Sequence, residues 1–166
     1  MKTNQGRILV VAGVAFILVL SSLSFASAEE YEAMKGVHSV NVMFDMRDGN
    51  PQTAIIHLNL IYDTYKELVA MKRNPVFVVV FMGSGVKVIS TDHRGVKAEE
   101  QNSLKEIASI VTGMSKAGIR VEVCLFAAKV FGVEPASILP EIERVGNGWI
   151  SEIGYQARGY SLVPVY

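Results

Sequence analysis

Residues 76–81 are six consecutive apolar residues, four of them valine. A short run of β-branched and aromatic residues is typical of a strand buried on both faces, and such strands belong to parallel sheets. Asn74-Pro75 stands before the run and ends the helical pattern that precedes it. The run therefore predicts an α/β protein with a parallel sheet covered by helices.

The chain after residue 36 alternates between strand-like and helix-like patterns. Apolar residues recur every three or four positions over residues 54–69 and again over 98–116, as in amphipathic helices. The remaining predicted elements are strands at 37–45, 119–124, 142–145 and 161–165, helices at 125–131 and 147–158, and a helical turn at 135–139. The alternation predicts one domain, over residues 37–166, with helices on both faces of a parallel sheet.

The N-terminal residues have the pattern of a secretory signal. Lys2 and Arg7 precede an uncharged stretch over residues 8–20, and Ala26-Ser27-Ala28 is a site of the A-x-A type. We therefore expect a signal peptide over residues 1–28, cleavage after Ala28, and a flexible leader over residues 29–36. The predicted mature protein is exported, periplasmic and not stably inserted in the membrane.

The alternative is an uncleaved anchor, because residues 8–28 are long enough to span a bilayer of about 30 Å. Four serines dilute the second half of that segment, and the short apolar stretch with a small-residue end is typical of a cleaved signal.

Charge and cysteine content exclude several classes of function. Lys and Arg number 16, as do Asp and Glu, and removal of Lys2 and Arg7 leaves a slightly acidic mature chain. Such a balance predicts no nucleic-acid partner. One cysteine allows no intrachain disulfide, and the three histidines lack metal-ligand spacing, so no metal site is predicted. No dinucleotide or phosphate-loop motif is present, and no cofactor is predicted.

Three features fall where predicted strands end. They are residues 45–50 after the first strand, Gly83-Ser84-Gly85 after the second, and Cys124 at the end of the third. Ligands of open parallel sheets bind beyond the carboxyl ends of the strands. These features are therefore the candidate site residues.

Cys124 is the candidate catalytic residue. It stands at the junction of a strand and a helix, where unpaired N–H groups favour a negative charge and hence the reactive thiolate. The alternative is a buried, inert cysteine that serves as a small apolar residue.

Gly83-Ser84-Gly85 is a candidate anion-binding segment, because consecutive backbone N–H groups can cradle an anion. The alternative is an ordinary tight turn after the strand, for which glycine is the default residue.

Several segments resemble one family. Residues 123–133, VCLFAAKVFGV, resemble the cysteine segment of the DsrE/DsrF-like sulfur-relay family, which includes the TusD-type proteins. Residues 156–160, QARGY, resemble the helix-to-strand junction near the end of its single-domain branch, and residues 81–83 followed by 86–89 resemble the end of its second strand. The resemblance covers residues 38–166.

The resemblance implies a three-layer α/β/α fold with a five-stranded, mainly parallel sheet. It also implies homo- or hetero-oligomers, and a cysteine that carries sulfur as a persulfide, which corresponds to Cys124. We therefore expect a sulfur carrier or sulfurtransferase with a sulfur donor or acceptor protein as partner. The alternative is a non-enzymatic oligomeric scaffold or small-anion-binding module in which Cys124 is a core residue.

The end of the chain predicts self-association. It carries a large apolar load for a small domain, namely Trp149, Ile150, Ile153, Tyr155, Tyr160, Leu162, Val163 and Tyr166. Aromatic residues are enriched at interfaces, and with the family resemblance we expect a homo-oligomer of trimeric type. The alternative is that these residues complete the core of a monomer.

Overall fold

The structure is a computed structural model that describes residues 31–94 and 96–166. The predicted signal segment lies outside the described residues. One parallel sheet organises the fold, and its strands are β1 Ser39–Met46, β2 Asn74–Phe81, β3 Arg120–Cys124, β4 Glu143–Val145 and β5 Ser161–Val165. The strand order is β4-β3-β2-β1-β5, and every neighbouring pair is parallel. The five-stranded parallel sheet is confirmed.

Four α-helices connect the strands. They are α1 Pro51–Ala70, α2 Ala98–Lys116, α3 Leu125–Val130 and α4 Gly148–Ala157, with short 3-10 helices at Glu32–Met34, Gly83–Ile89 and Pro135–Ser137. The start of α1 follows from its sequence, because the Asn50 side chain accepts the N–H groups of Gln52 and Thr53 at 3.0 Å each. Pro51 occupies the first helical position, where its missing N–H costs nothing.

The helices lie on the two faces of the sheet. Phe77 of β2 packs its ring edge-on against Tyr65 of α1, with 5.4 Å between ring centroids. On the opposite face, Tyr155 of α4 contacts Glu122 of β3. The chain moves from β1 to β4 in one direction and returns through α4 to β5. Right-handed crossovers therefore place α1 and α2 on one face and α4 on the other, which gives the three-layer α/β/α fold.

The core is centred on β2, as the apolar run predicts. Residues Val78, Val79, Val80 and Phe81 are at most 2% exposed. In the described part of the chain, no helix is long and apolar enough to cross a membrane.

The structure corrects several element boundaries. Strand β1 begins at Ser39, two residues later than predicted, because its pairing with β2 starts at Ser39 opposite Asn74. Strand β2 begins two residues earlier than predicted, and Phe131 caps α3 and does not belong to it. Residues 86–89, which resemble a strand end in sequence, lie in the 3-10 helix Gly83–Ile89. Part of the predicted flexible leader is the 3-10 helix Glu32–Met34, none of whose residues is buried; its flexibility stays a prediction.

Candidate functional site

A pocket opens at the carboxyl end of the sheet, where β1, β2 and β3 finish side by side. It has a volume of about 280 Å³. Its walls are mostly apolar, and its lining residues are Arg47, Met82, Gly83, Cys124, Phe126, Ala127, Val130, Phe131, Asn147 and Trp149. Each of the three strand ends singled out in the sequence contributes one residue, namely Arg47, Gly83 and Cys124.

Cys124 forms part of the floor of this pocket. It is the last residue of β3 and the N-cap of α3, and its sulfur accepts the Ala127 N–H at 3.4 Å. Its exposed fraction is 4%. The start of α3 is held in place by the Phe126 N–H, which donates to the Gly146 carbonyl at 3.1 Å. The thiol is therefore buried, and the pocket is the part of the protein surface that borders it.

The first residue of α4 covers Cys124 closely because it is glycine. A Cβ atom at Gly148 would lie 3.0 Å from the Cys124 Cβ and closer still to the Met82 sulfur. Real Cβ atoms essentially never come as close to another atom as this one would to the Met82 sulfur, and the Cys124 contact is also unusually tight. Gly148 therefore lets the helix start directly over the cysteine.

The Gly83-Ser84-Gly85 segment joins the ends of β1 and β2. The Ser84 hydroxyl donates to the Arg47 carbonyl at 2.9 Å, and a Cβ at Gly85 would lie 2.6 Å from the Met46 carbonyl oxygen. Gly83 has a φ of +52°, which favours glycine. Close packing of two loops thus explains this sequence, and of the three residues only Gly83 lines the pocket. Anion binding by the segment stays a prediction.

A charged cluster beside the pocket joins Asp45 and Arg47, which lie in the predicted segment 45–50, to Glu152, which was not predicted. The Arg47 Nε donates to Asp45 Oδ2 at 2.6 Å, and Arg47 Nη2 lies 3.9 Å from Glu152 Oε1. Asp45 and Glu152 are both buried, and Asp45 Oδ1 and Glu152 Oε1 have no hydrogen-bond partner among the described residues. Burial and the nearby Asp45 carboxylate raise the pKa of Glu152 to about 7. Near neutral pH, Glu152 is therefore partly protonated and can donate to Asp45.

A second polar contact lies farther along α4. The Tyr155 hydroxyl donates to Glu122 Oε1, and Arg120 Nη1 approaches the same hydroxyl at 3.4 Å. Burial, together with the Glu122 carboxylate, raises the pKa of Tyr155. The buried face of α4 thus consists of a glycine, a carboxyl and a phenol at Gly148, Glu152 and Tyr155.

The sequence contains a pattern that could have pointed to the acidic residues of these contacts. Asp45 of β1 and Glu122 of β3 are acidic residues with an apolar residue on each side in the sequence, and both are buried. Glu152 follows Gly148 by four positions, which places it on the same helix face. Among residues 31–94 and 96–166, no three His, Cys, Asp or Glu side chains are grouped as a metal site would need.

Comparison with known proteins identifies the family. The model of the DsrE/DsrF-like family matches residues 16–165. The chain belongs to the DsrE/DsrF-like family. Membership suggests a role of the sulfur-relay type for this DsrE/DsrF-like protein.

Two similar proteins extend the comparison. A protein of Aquifex aeolicus, described as uncharacterized, is 24% identical over 126 residues, which are 75% of this chain and 56% of the relative. The chain thus spans just over half the length of that curated relative. The structure of MTH1491 from Methanobacterium thermoautotrophicum, a protein of unknown function, has a TM-score of 0.54 and 17% identity, over 76% of this chain and 98% of that one. At that identity the likeness shows the DsrE/DsrF-like fold alone.

Proposed function

We propose that this DsrE/DsrF-like protein is a sulfur carrier, or sulfurtransferase, that holds sulfur on Cys124 as a persulfide. The observation that carries the proposal is the place of the chain's single cysteine in the lining of a pocket at the carboxyl edge of the sheet. This edge is where open parallel sheets bind their ligands.

The reaction needs only the cysteine and a sulfur donor. The Cys124 thiolate attacks the terminal sulfur of a donor such as polysulfide, and a new S–S bond forms. The donor's own S–S bond breaks, and its electron pair leaves with the shortened polysulfide dianion. The product is Cys–S–S⁻, and no other oxidant or reductant is consumed. A second thiolate, on an acceptor protein, then takes the outer sulfur by the same kind of exchange.

The surroundings of the sulfur suit a carrier. The Ala127 N–H already points at the cysteine sulfur, and apolar walls shield the persulfide from water and oxidants. With no second cysteine in the chain, no intramolecular disulfide can discharge it.

A second candidate function is a non-enzymatic scaffold or anion-binding module. The observation that favours it is the 4% exposure of Cys124, which is typical of a cysteine used as a small apolar core residue. The two candidates differ in whether reagents in solution reach the thiol in the native protein.

Intact-mass measurement separates the two. Wild type and Cys124→Ser are incubated with polysulfide and weighed. We expect wild type alone to gain about 32 Da, the mass of one sulfur atom carried by a reactive thiolate, and to lose it on treatment with a reducing thiol. An unchanged mass for wild type, or an equal gain on both proteins, would mean that Cys124 is only a core residue and would favour the scaffold.

We also propose that the carrier works after export, in the periplasm. The support is the basic, apolar and small-residue order of residues 1–28. N-terminal sequencing of protein from the producing cell should find Glu29. An intact Met1 in the membrane fraction would mean an anchor.

A further inference from the structure

The Arg47 guanidinium is the one positively charged group among the residues that line the Cys124 pocket. Arg47 follows directly after β1, and Cys124 ends β3, with β2 between them. At the usual spacing of neighbouring strands, the two chain positions are about 10 Å apart across the sheet. The pocket fills the space between them.

Two contacts fix the orientation of Arg47. Its N–H donates to the Val165 carbonyl at 3.0 Å, and its carbonyl accepts the Ser84 hydroxyl at 2.9 Å, so the backbone is held on both sides. In the side chain, Asp45 takes only the Nε donor, at 2.6 Å. The two terminal nitrogens make no hydrogen bond to another described residue, and the side chain is 34% exposed.

A second acid near Arg47, Glu152, does not form a hydrogen bond with these nitrogens. Glu152 Oε1 lies 3.9 Å from Nη2, beyond hydrogen-bond distance. Burial and the nearby Asp45 carboxylate raise the pKa of Glu152 to about 7, so this carboxyl is mostly protonated at about pH 6. A guanidinium that is oriented at Nε and open at both terminal nitrogens is a ready two-donor fork for an anion.

Asn147 provides a second donor on the pocket wall. Its side-chain oxygen accepts the Trp149 N–H at 3.0 Å. This contact assigns the oxygen to the helix cap, so the amide nitrogen is the atom left to donate to a ligand. The other walls are mostly apolar, and electrostatic attraction is stronger beside them than in water.

We propose that Arg47, assisted by Asn147, binds the anionic end of a small sulfane-sulfur compound and holds it against Cys124. This inference rests on the proposed function and adds the class of donor: a small sulfur anion, such as thiosulfate or polysulfide, that enters the pocket directly. With thiosulfate, the Cys124 thiolate attacks the outer sulfur, the S–S bond breaks, and sulfite leaves with the bonding electron pair. Arg47 holds the sulfite end before and after the transfer.

Binding is measured separately from chemistry by replacing the nucleophile. In Cys124→Ser, thiosulfate can occupy the pocket without transferring sulfur. Trp149 is the chain's single tryptophan and lines the pocket, so its fluorescence reports occupancy. Thiosulfate is titrated at constant ionic strength and at about pH 6, where Glu152 is mostly protonated.

We expect saturable binding that Arg47→Gln weakens about tenfold or more, the usual effect of removing a charge-assisted hydrogen bond. Arg47→Lys should keep part of the affinity, since it retains the charge and loses the fork. Arg94→Gln is the matched control, because Arg94 is an exposed arginine outside the pocket; its affinity should equal that of the parent.

Loss of Arg47 leaves a buried carboxylate at Asp45 unpaired, which can destabilise the fold. The double variant Asp45→Asn, Arg47→Gln removes both charges, so it tests the loss of Arg47 without leaving an unpaired carboxylate. Circular dichroism checks that it folds. Equal affinity in the parent and the Arg47 variants, equal weakening by Arg94→Gln, or no saturable binding at all would each overturn the inference.

The two proposals fail separately. If wild type takes up sulfur from polysulfide while Arg47 has no effect on thiosulfate binding, only the donor assignment is wrong. If thiosulfate binding depends on Arg47 but Cys124 never gains sulfur, the pocket binds anions and the carrier function is wrong.

Discussion

Glu152 couples the protonation of the site to the stability of the fold. Its pKa is raised from an ordinary 4.5 to about 7, so the folded protein holds a proton that the unfolded chain releases at lower pH. Between these two values the folded state binds more protons than the unfolded state, so the free energy of unfolding falls as pH rises. The loss is complete about one pH unit above the raised pKa.

We predict that replacing Glu152 by Gln removes most of this pH dependence. Wild type should lose on the order of 1–3 kcal/mol of stability between about pH 5 and about pH 8, and Glu152→Gln should change much less over that range. Urea unfolding at the two pH values measures the difference. Glu67→Gln, at an exposed glutamate of α1, is the control and should behave as wild type. Parallel pH profiles for wild type and Glu152→Gln would show that Glu152 ionises as an exposed acid does.

Helix α4 is oriented opposite to the usual amphipathic helix. Its buried positions are Gly148, Glu152 and Tyr155, whereas Trp149, Ile150 and Ile153 are 62–68% exposed. The polar groups face a sheet that places Asp45 near Glu152 and lets Glu122 accept a hydrogen bond from Tyr155. The apolar residues Trp149, Ile150 and Ile153 instead face outward from the described fold.

The start of α4 can be tested by adding a single methyl group. Gly148→Ala forces a Cβ against Met82 and Cys124, and overpacking of this kind costs about 1–3 kcal/mol. The helix start must then move away from the cysteine, so native-state labelling by a thiol reagent should become faster.

Gly154→Ala is the matched control on the same helix, because no described atom lies within 4 Å of the Cβ that alanine would add. Alanine in a helix interior is favoured over glycine, so this variant should be as stable as wild type or slightly more stable, with unchanged labelling. Equal behaviour of the two alanine variants would mean that α4 does not lie tightly on Cys124.

At the scale of the whole molecule, we propose that the outward face of α4, formed by Trp149, Ile150 and Ile153, is buried in a homo-oligomer, which we expect to be a trimer. Light scattering of wild type at micromolar concentration should give a multiple of the chain mass. Ile153→Glu places a charge in the proposed interface and should give single chains.

Ile56→Glu is the control, since Ile56 is 65% exposed on α1, on the opposite side of the sheet. It should leave the assembly intact. A wild-type mass of one chain would contradict the proposal, and an equal effect of both substitutions would place the interface elsewhere.

The sheet was predictable from sequence because each strand has a local sequence pattern. The valine run of β2 and the capped, periodic helix α1 are specified by neighbouring residues, and the structure agrees with them to within three residues. Burial of α4 was not predictable in this way. The apolar load of Trp149 and Ile153 predicts an interface or a core position, and says nothing of Glu152, which lies inward near the Asp45 carboxyl.

The candidate site was predictable only in part. Cys124 and Gly83 stand out because strand ends can be identified along the chain. Arg47 lies in the predicted segment 45–50, but its contact with Glu152 was not predictable, since the two meet only when β1, β2 and β3 lie side by side and α4 returns across them. Which residues share a pocket is a property of strand order, and a single sequence does not encode that order locally.

During folding, the site can form only after strand β5 has joined the sheet. It follows the other four strands in the chain and yet pairs with the first, and its Val165 carbonyl holds the Arg47 backbone. A chain folded only through β4 has its cysteine on a strand, but neither α4 above it nor a fixed Arg47 beside it. We expect a refolding chain to gain thiosulfate affinity only with the final event, after most of the sheet has formed. Partly folded molecules would then not bind the sulfur donor. A thiosulfate affinity that rises together with early secondary structure would contradict this prediction.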